Sequence, residues 1–300
     1  MLPITEVIVT VLPLVIVLLA GIVPSRYEPR EPILAHQRWR YRHFIVVWIV
    51  VWCIFTASQF VPLPRIVMAW GLWLWTLSYA FTAVVIIVSV WGAVRWNQRA
   101  ACRALGFNRS TALHNLLWAL RIVLAFASVA TVLGLLTKLA IPNVNGRGFL
   151  GETPQWRGQS GAFLAAYGVR TILIPIAEEM LFRALAYGPL FRKFGVSGAA
   201  LGSSALWAIV HYAGPSYSSA LRMAVLFVVG IIYAEVYRRR ESLFPTVTFH
   251  IAFNTAGVLV RASDLGAIVP ATAVVIGLWV ISAMLFRVSS RARATARVGN

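Results

Sequence analysis

Three ionisable side chains sit in the middle of an apolar stretch of this sequence. They are Glu178, Glu179 and Arg183, inside the run from about Gly161 to Leu190. A run of that length has the dimensions of a membrane-spanning helix. One charge at bilayer depth costs roughly 3 kcal/mol on insertion scales, so three unpaired ones would cost on the order of 9. Helical spacing relieves part of this. Glu179 and Arg183 are spaced i,i+4, share a face and can form an ion pair. Glu178 is rotated about 100° from Glu179 and keeps a carboxylate free to face a cavity. Two histidines lie in later apolar runs: His211 ends SSALWAIVH, and His250 sits in LFPTVTFHIAFN with Asn254 at i+4 on the same face. Brought together, such groups could move protons, ligate a metal or hydrogen-bond a substrate. A buried Glu/Arg network that only ties helices together is the plain alternative.

The elements that must position these groups are helices. The 300 residues are 60% hydrophobic and only 12% charged, which fits a polytopic helical membrane protein and not a soluble domain. Nine apolar segments are predicted, at about Ile4–Val23, Phe44–Val61, Ile66–Val94, Leu113–Ile141, Gly161–Leu190, Val196–Ala213, Ser219–Tyr237, Leu243–Val260 and Leu265–Phe286. The fold class expected is therefore all-α, a bundle of about nine transmembrane helices. The Gly- and Pro-rich stretch from Pro142 to Ser160 separates a four-helix front region, 1–160, from a core at 161–260 that holds the candidate groups; 261–300 forms a last helix and a basic tail. The first run is too long for a signal-peptide core and lacks a basic leading region, so it reads as a retained helix.

The net charge of +18 invites a nucleic-acid reading, but the basic residues fall between the apolar segments and form no soluble patch. They also alternate. Arg26, Arg30, Arg38, Arg40 and Arg42 follow the first segment, Arg95, Arg99, Arg103 and Arg109 the third, Arg192 and Lys193 the fifth, Arg238 to Arg240 the seventh, and Arg287, Arg291, Arg293 and Arg297 the ninth. The intervening loops carry only Arg65, Arg147, Arg157 and Arg261. The positive-inside rule then places the amino terminus outside and the carboxyl terminus in the cytoplasm, with a bacterial cytoplasmic membrane as the expected setting. Cys53 and Cys102 offer neither a disulfide framework nor a metal cluster. Arg121, Lys138, Arg170 and Arg222 are expected to snorkel to the interfaces, and Glu235 to be solvated or bridged to Arg238–Arg240.

Depth links the candidates. Counted from the cytoplasmic ends of their segments at about 1.5 Å per residue, Glu178 lies about 20 Å deep, His211 about 22 Å, Asn254 about 18 Å and His250 about 12 Å. Pro175, three residues before Glu178, frees backbone groups close to that layer. Small residues from Gly198 to Ser204 would let the sixth helix approach a neighbour closely.

The order E-E-x-x-x-R, aromatic-x-x-x-H, H-x-x-x-N on successive membrane helices resembles the CPBP family of intramembrane glutamic endopeptidases, which includes the type II CAAX prenyl proteases and bacteriocin-immunity relatives. The matching residues are Glu178-Glu179-Met-Leu-Phe-Arg183, Trp207-Ala-Ile-Val-His211 and His250-Ile-Ala-Phe-Asn254, within about 160–260. Trp207 stands where the family usually has phenylalanine, and Ala184 where glycine is common. The resemblance implies that Glu178 and His211 activate a water, that His250 and Asn254 form an oxyanion hole, and that Glu179, Arg183 and Trp207 support them. It implies no cofactor and no metal. The partners implied are a membrane-associated protein or peptide substrate and membrane lipid, with no nucleic acid. A prenylated substrate requires a host that prenylates proteins; otherwise a tail anchor or sorting signal fits better. A zinc protease remains as a rival, although H-E-x-x-H is absent. A proton-coupled transporter would also keep such residues, but would show inverted repeats. A catalytically silent scaffold is the third alternative.

Overall fold

The computed structural model describes residues 37–60, 71–97, 105–107, 112–124, 160–212 and 217–262. Among these residues all regular structure is helical. Helices α1 (Tyr41–Phe60) and α2 (Gly71–Asn97) correspond to the second and third apolar segments, and α3 (Ala112–Leu124) to the start of the fourth. The first and ninth segments, and the Gly- and Pro-rich connection before Ser160, lie outside the described residues. By length and composition one described helix could cross a membrane, at Trp73–Trp96. Its apolar side chains are largely exposed, including Phe81 and Val88, as suits a lipid-facing surface.

The fifth segment is not a uniform α-helix. From Ser160 it runs through α4 (Ser160–Gly168), a wider π turn (Val169–Leu173), α5 (Ile174–Glu179) and a second π stretch (Met180–Ala186) before α6 (Tyr187–Ile209). Proline explains the first irregularity. The N–H of Ile174 reaches back five residues to the Val169 carbonyl, and the next residue, Pro175, has no N–H to donate. Such π-bulges inside α-helices frequently mark functional sites.

Gly195 turns the chain between the fifth and sixth segments. Its φ of 69° lies in the left-handed region, which glycine enters without steric cost. The second half of α6 then packs against α7 (Tyr217–Arg240). A Cβ at Gly230 would come within 2.8 Å of Ser204 Cβ, so the close approach expected from the small residues on α6 is matched by a glycine on α7. Helix α8 (Leu243–Ala262) follows directly after a turn in which Glu241 adopts a φ of 44°.

That turn is braced by the front half. Leu243 N–H donates to the Gly106 carbonyl (3.3 Å), Phe107 meets Phe244 edge-on, and Arg240 lies 4.6 Å over the Trp118 ring of α3. Glu235 bridges Arg238 (2.8 Å) and Arg239 (2.5 Å), and this bond holds the Arg238 guanidinium above its ordinary pKa. Trp39 docks beside the second π stretch, with its indole N–H on the Leu185 carbonyl (3.1 Å) and its own carbonyl accepting from Arg192.

Candidate functional site

Glu178 and Glu179 leave α5 in different directions. Glu179 is fully buried; its Oε2 lies 3.4 Å from Arg183 Nε and its Oε1 3.0 Å from His250 Nδ1. One carboxylate thus ties the second π stretch to α8. Arg183, also fully buried, is held between two aromatic faces, 5.2 Å from the Trp207 ring and 5.5 Å from Tyr233. Those ring quadrupoles supply part of the compensation that hydrogen bonds to the guanidinium would otherwise give.

Glu178 faces a cavity of about 430 Å³. Its side chain is 15% exposed, and its two oxygens are unlike. Oε2 accepts the Trp207 indole N–H at 2.5 Å and lies 3.8 Å from His250 Nε2; Oε1 lies 3.8 Å from His211 Nε2. The histidine tautomers follow from their other contacts. His211 Nδ1 is 2.8 Å from the Trp207 carbonyl, which can only accept, so Nδ1 carries the proton and Nε2 of the neutral ring presents a lone pair. By the same reasoning the bond to ionised Glu179 places a proton on His250 Nδ1. Two acceptors, Glu178 Oε1 and His211 Nε2, therefore face each other across a gap too long for a direct bond. A molecule with two donatable protons suits such a gap, and water is the smallest.

Asn254 does not join this group directly. Its amide N–H donates to the Arg170 carbonyl at 3.2 Å. That carbonyl is the next one along after Val169, and Pro175 stands where its five-residue partner would be. Asn254 thus fills the gap that the proline leaves in the backbone ladder. Its NH₂ has two protons, so one remains for the cavity, which Asn254 also lines. The depth count from the sequence put Asn254 level with Glu178 and His250 a turn away. The contacts reverse this order, because helix packing and the wider turns shift the axial register.

Three further features were missed or misassigned from the sequence. Arg170 and Arg222 were expected to snorkel; both are half-buried and line the same cavity. The cavity wall also includes Trp48, Trp52, Trp75 and Tyr79 from α1 and α2, so the front region contributes more than its lack of motifs suggested. Finally, Trp207 is a hydrogen-bond donor to Glu178, which the usual phenylalanine could not be.

The comparisons with known proteins fall on this segment. Residues 160–256 match the family model described as type II CAAX prenyl endopeptidase Rce1-like. This segment is similar to the CPBP family of membrane proteases. A Bacillus subtilis (strain 168) protein named "Putative membrane peptidase YdiL" is 30% identical over 94 residues, covering 31% of this chain and 36% of that protein. The chain thus matches about a third of that relative's length. No solved structure matches. The matched segment contains Glu178, Glu179, Arg183, Trp207, His211, His250 and Asn254, and the chain is an integral membrane protein.

The Trp207 contact gives a direct expectation. Trp207→Phe keeps an aromatic face over Arg183 but removes a hydrogen bond to a charged group, a loss of about 1.5–3 kcal/mol. Thermal stability should fall with that loss, and on the proteolytic reading proposed below kcat in a peptide-cleavage assay should fall about ten-fold or more. An unchanged kcat would mean that the indole N–H does not orient the Glu178 carboxylate.

Proposed function

We propose that this protein is an intramembrane endopeptidase that hydrolyses a peptide bond of a membrane-associated substrate, with Glu178 as general base. The observation that carries this reading is the 3.8 Å gap between Glu178 Oε1 and His211 Nε2, two acceptors at the cavity wall with Trp207 fixing the other carboxylate oxygen. A water held in that gap donates one proton to each acceptor and turns its lone pair towards the cavity. Attack on a substrate carbonyl passes its proton to Glu178, and His211 orients the water and relays the proton to the leaving amine. The developing oxyanion is received by Asn254 and by His250 as imidazolium, the form whose Nε2 donates. The Glu179 carboxylate at 3.0 Å compensates that charge.

The deciding experiment incubates the purified full-length chain with a mixture of apolar peptides and reads new termini by mass spectrometry. Wild-type protein should generate defined fragments, and metal analysis of the same active preparation should give well under one zinc per chain. Fragments that appear only in proportion to a stoichiometric metal would support the zinc rival. Among the described residues no group of three or more His, Cys, Asp or Glu side chains is placed to hold a metal ion.

In the membrane we propose nine spans, with the amino terminus outside and the carboxyl terminus in the cytoplasm of a bacterial cell. The alternation of basic loops supports this. Single cysteines in the 95–112 and 142–160 loops, in a background lacking Cys53 and Cys102, should react with impermeant reagents from opposite faces. Reaction from the same face would overturn the topology.

A further inference from the structure

The cavity that exposes Glu178 has a charge pattern that general base chemistry does not use. Among the residues lining it, Arg170 and Arg222 are cationic and Glu178 is the one carboxylate. Glu179 does not line it and is already shared between Arg183 and His250. Arg222 projects from α7, lies within electrostatic reach of Glu178, and buries its Nε with no hydrogen-bond partner among the described residues. A buried guanidinium N–H left without an acceptor is costly, and such groups in native proteins call for an explanation. Arg170, on the first π turn, interacts electrostatically with Arg222, and the Tyr79 hydroxyl of α2 is near both.

We propose that Arg222, with Arg170 beside it, binds a carboxylate of the substrate and so sets where along the peptide Glu178 acts. The planar guanidinium fork matches a carboxylate in two parallel hydrogen bonds, one of which would satisfy the Arg222 Nε proton. Because Arg222 and Glu178 line the same cavity of about 430 Å³, the anchored carboxylate belongs within a few residues of the scissile bond. It is either the peptide's own C-terminus or an acidic side chain. The aromatic wall of Trp48, Trp52 and Trp75 accommodates the apolar residues around it.

This inference rests on the proteolytic reading, and binding separates the two. The probes are a fluorescein-labelled Ala-Leu hexapeptide with a free C-terminal carboxylate, the same peptide amidated, and the amidated peptide with Glu as its last residue. Affinity is measured by anisotropy on the full-length Glu178→Gln protein in detergent, so that hydrolysis does not intervene. The free acid should bind about 10- to 100-fold more tightly than the amide. Recovery of that advantage by the Glu-containing amide identifies a side-chain carboxylate as sufficient; its absence identifies the C-terminus. Added Arg222→Met should bring acid and amide to near-equal affinity, and Arg222→Lys should leave an intermediate preference. Arg170→Met provides an independent variant if Arg222→Met does not fold. Equal binding of acid and amide, or no binding of either, overturns the proposal even if wild-type protein cleaves peptides. An acid preference that depends on Arg222, in a protein whose wild type cleaves nothing, keeps the anion site and removes the protease reading.

Discussion

Glu178→Gln should reduce peptide cleavage by about 10²–10⁴-fold, the usual contribution of a general base, with the fold unchanged. The substitution keeps shape, and the amide oxygen can still accept the Trp207 N–H that now reaches Oε2. It removes the basic oxygen facing His211. Among the described residues Glu178 borders the cavity and makes no salt bridge to an arginine, so neutralising it strips no fully buried guanidinium of its counter-charge; Arg222, which it meets only at longer range, is half-buried. Thermal unfolding and size-exclusion profiles should therefore match wild type while new termini disappear from the mass spectrum.

The neighbouring carboxylate should behave in the opposite way. Glu179→Gln strips the counter-charge from Arg183, whose side chain is 0% exposed, and weakens the bond to His250. Leaving one member of a buried ion pair uncompensated costs roughly 3–5 kcal/mol. Loss of thermal stability or of yield is expected, and activity falls with it. Glu179→Gln combined with Arg183→Met should recover part of the stability, because no lone charge remains and methionine packs well against the Trp207 and Tyr233 rings. Glu178→Gln combined with Arg183→Met should show no such recovery, since it leaves Glu179 without the arginine. Should Glu178→Gln keep wild-type turnover while Glu179→Gln folds normally and is inactive, the two carboxylates have exchanged roles.

Much of this division could be read from spacing. The i,i+4 relation of Glu179 and Arg183, and the rotation that sends Glu178 elsewhere, need only a helix in that stretch. The helical class followed equally from apolar runs separated by basic loops. What spacing could not carry is the contact network between helices. Nothing at residue 250 announces that its Nδ1 meets Glu179 and not a solvent molecule. Nor does a fixed 100° step survive the π turn at Val169–Leu173, and for that reason Arg170, eight residues before Glu178, did not register as sharing its cavity. Pro175 was a usable signal: a missing N–H implies an unclaimed carbonyl nearby, and Asn254 is the residue that claims it. The aromatic wall from α1 and α2 left no trace in sequence, because tryptophans that face lipid and tryptophans that face a cavity are the same letter.

The origin of that wall has a consequence for how such a protein diversifies. The reactive groups all come from residues 160–256, whereas Trp48, Trp52, Trp75 and Tyr79 come from helices that precede this segment. Exchange or drift of the preceding helices can remodel the shape offered to a passing polypeptide while Glu178 and its neighbours stay as they are. On the proposed reading, the reactive groups and the aromatic wall that an apolar substrate segment would meet thus lie on separate stretches of one chain.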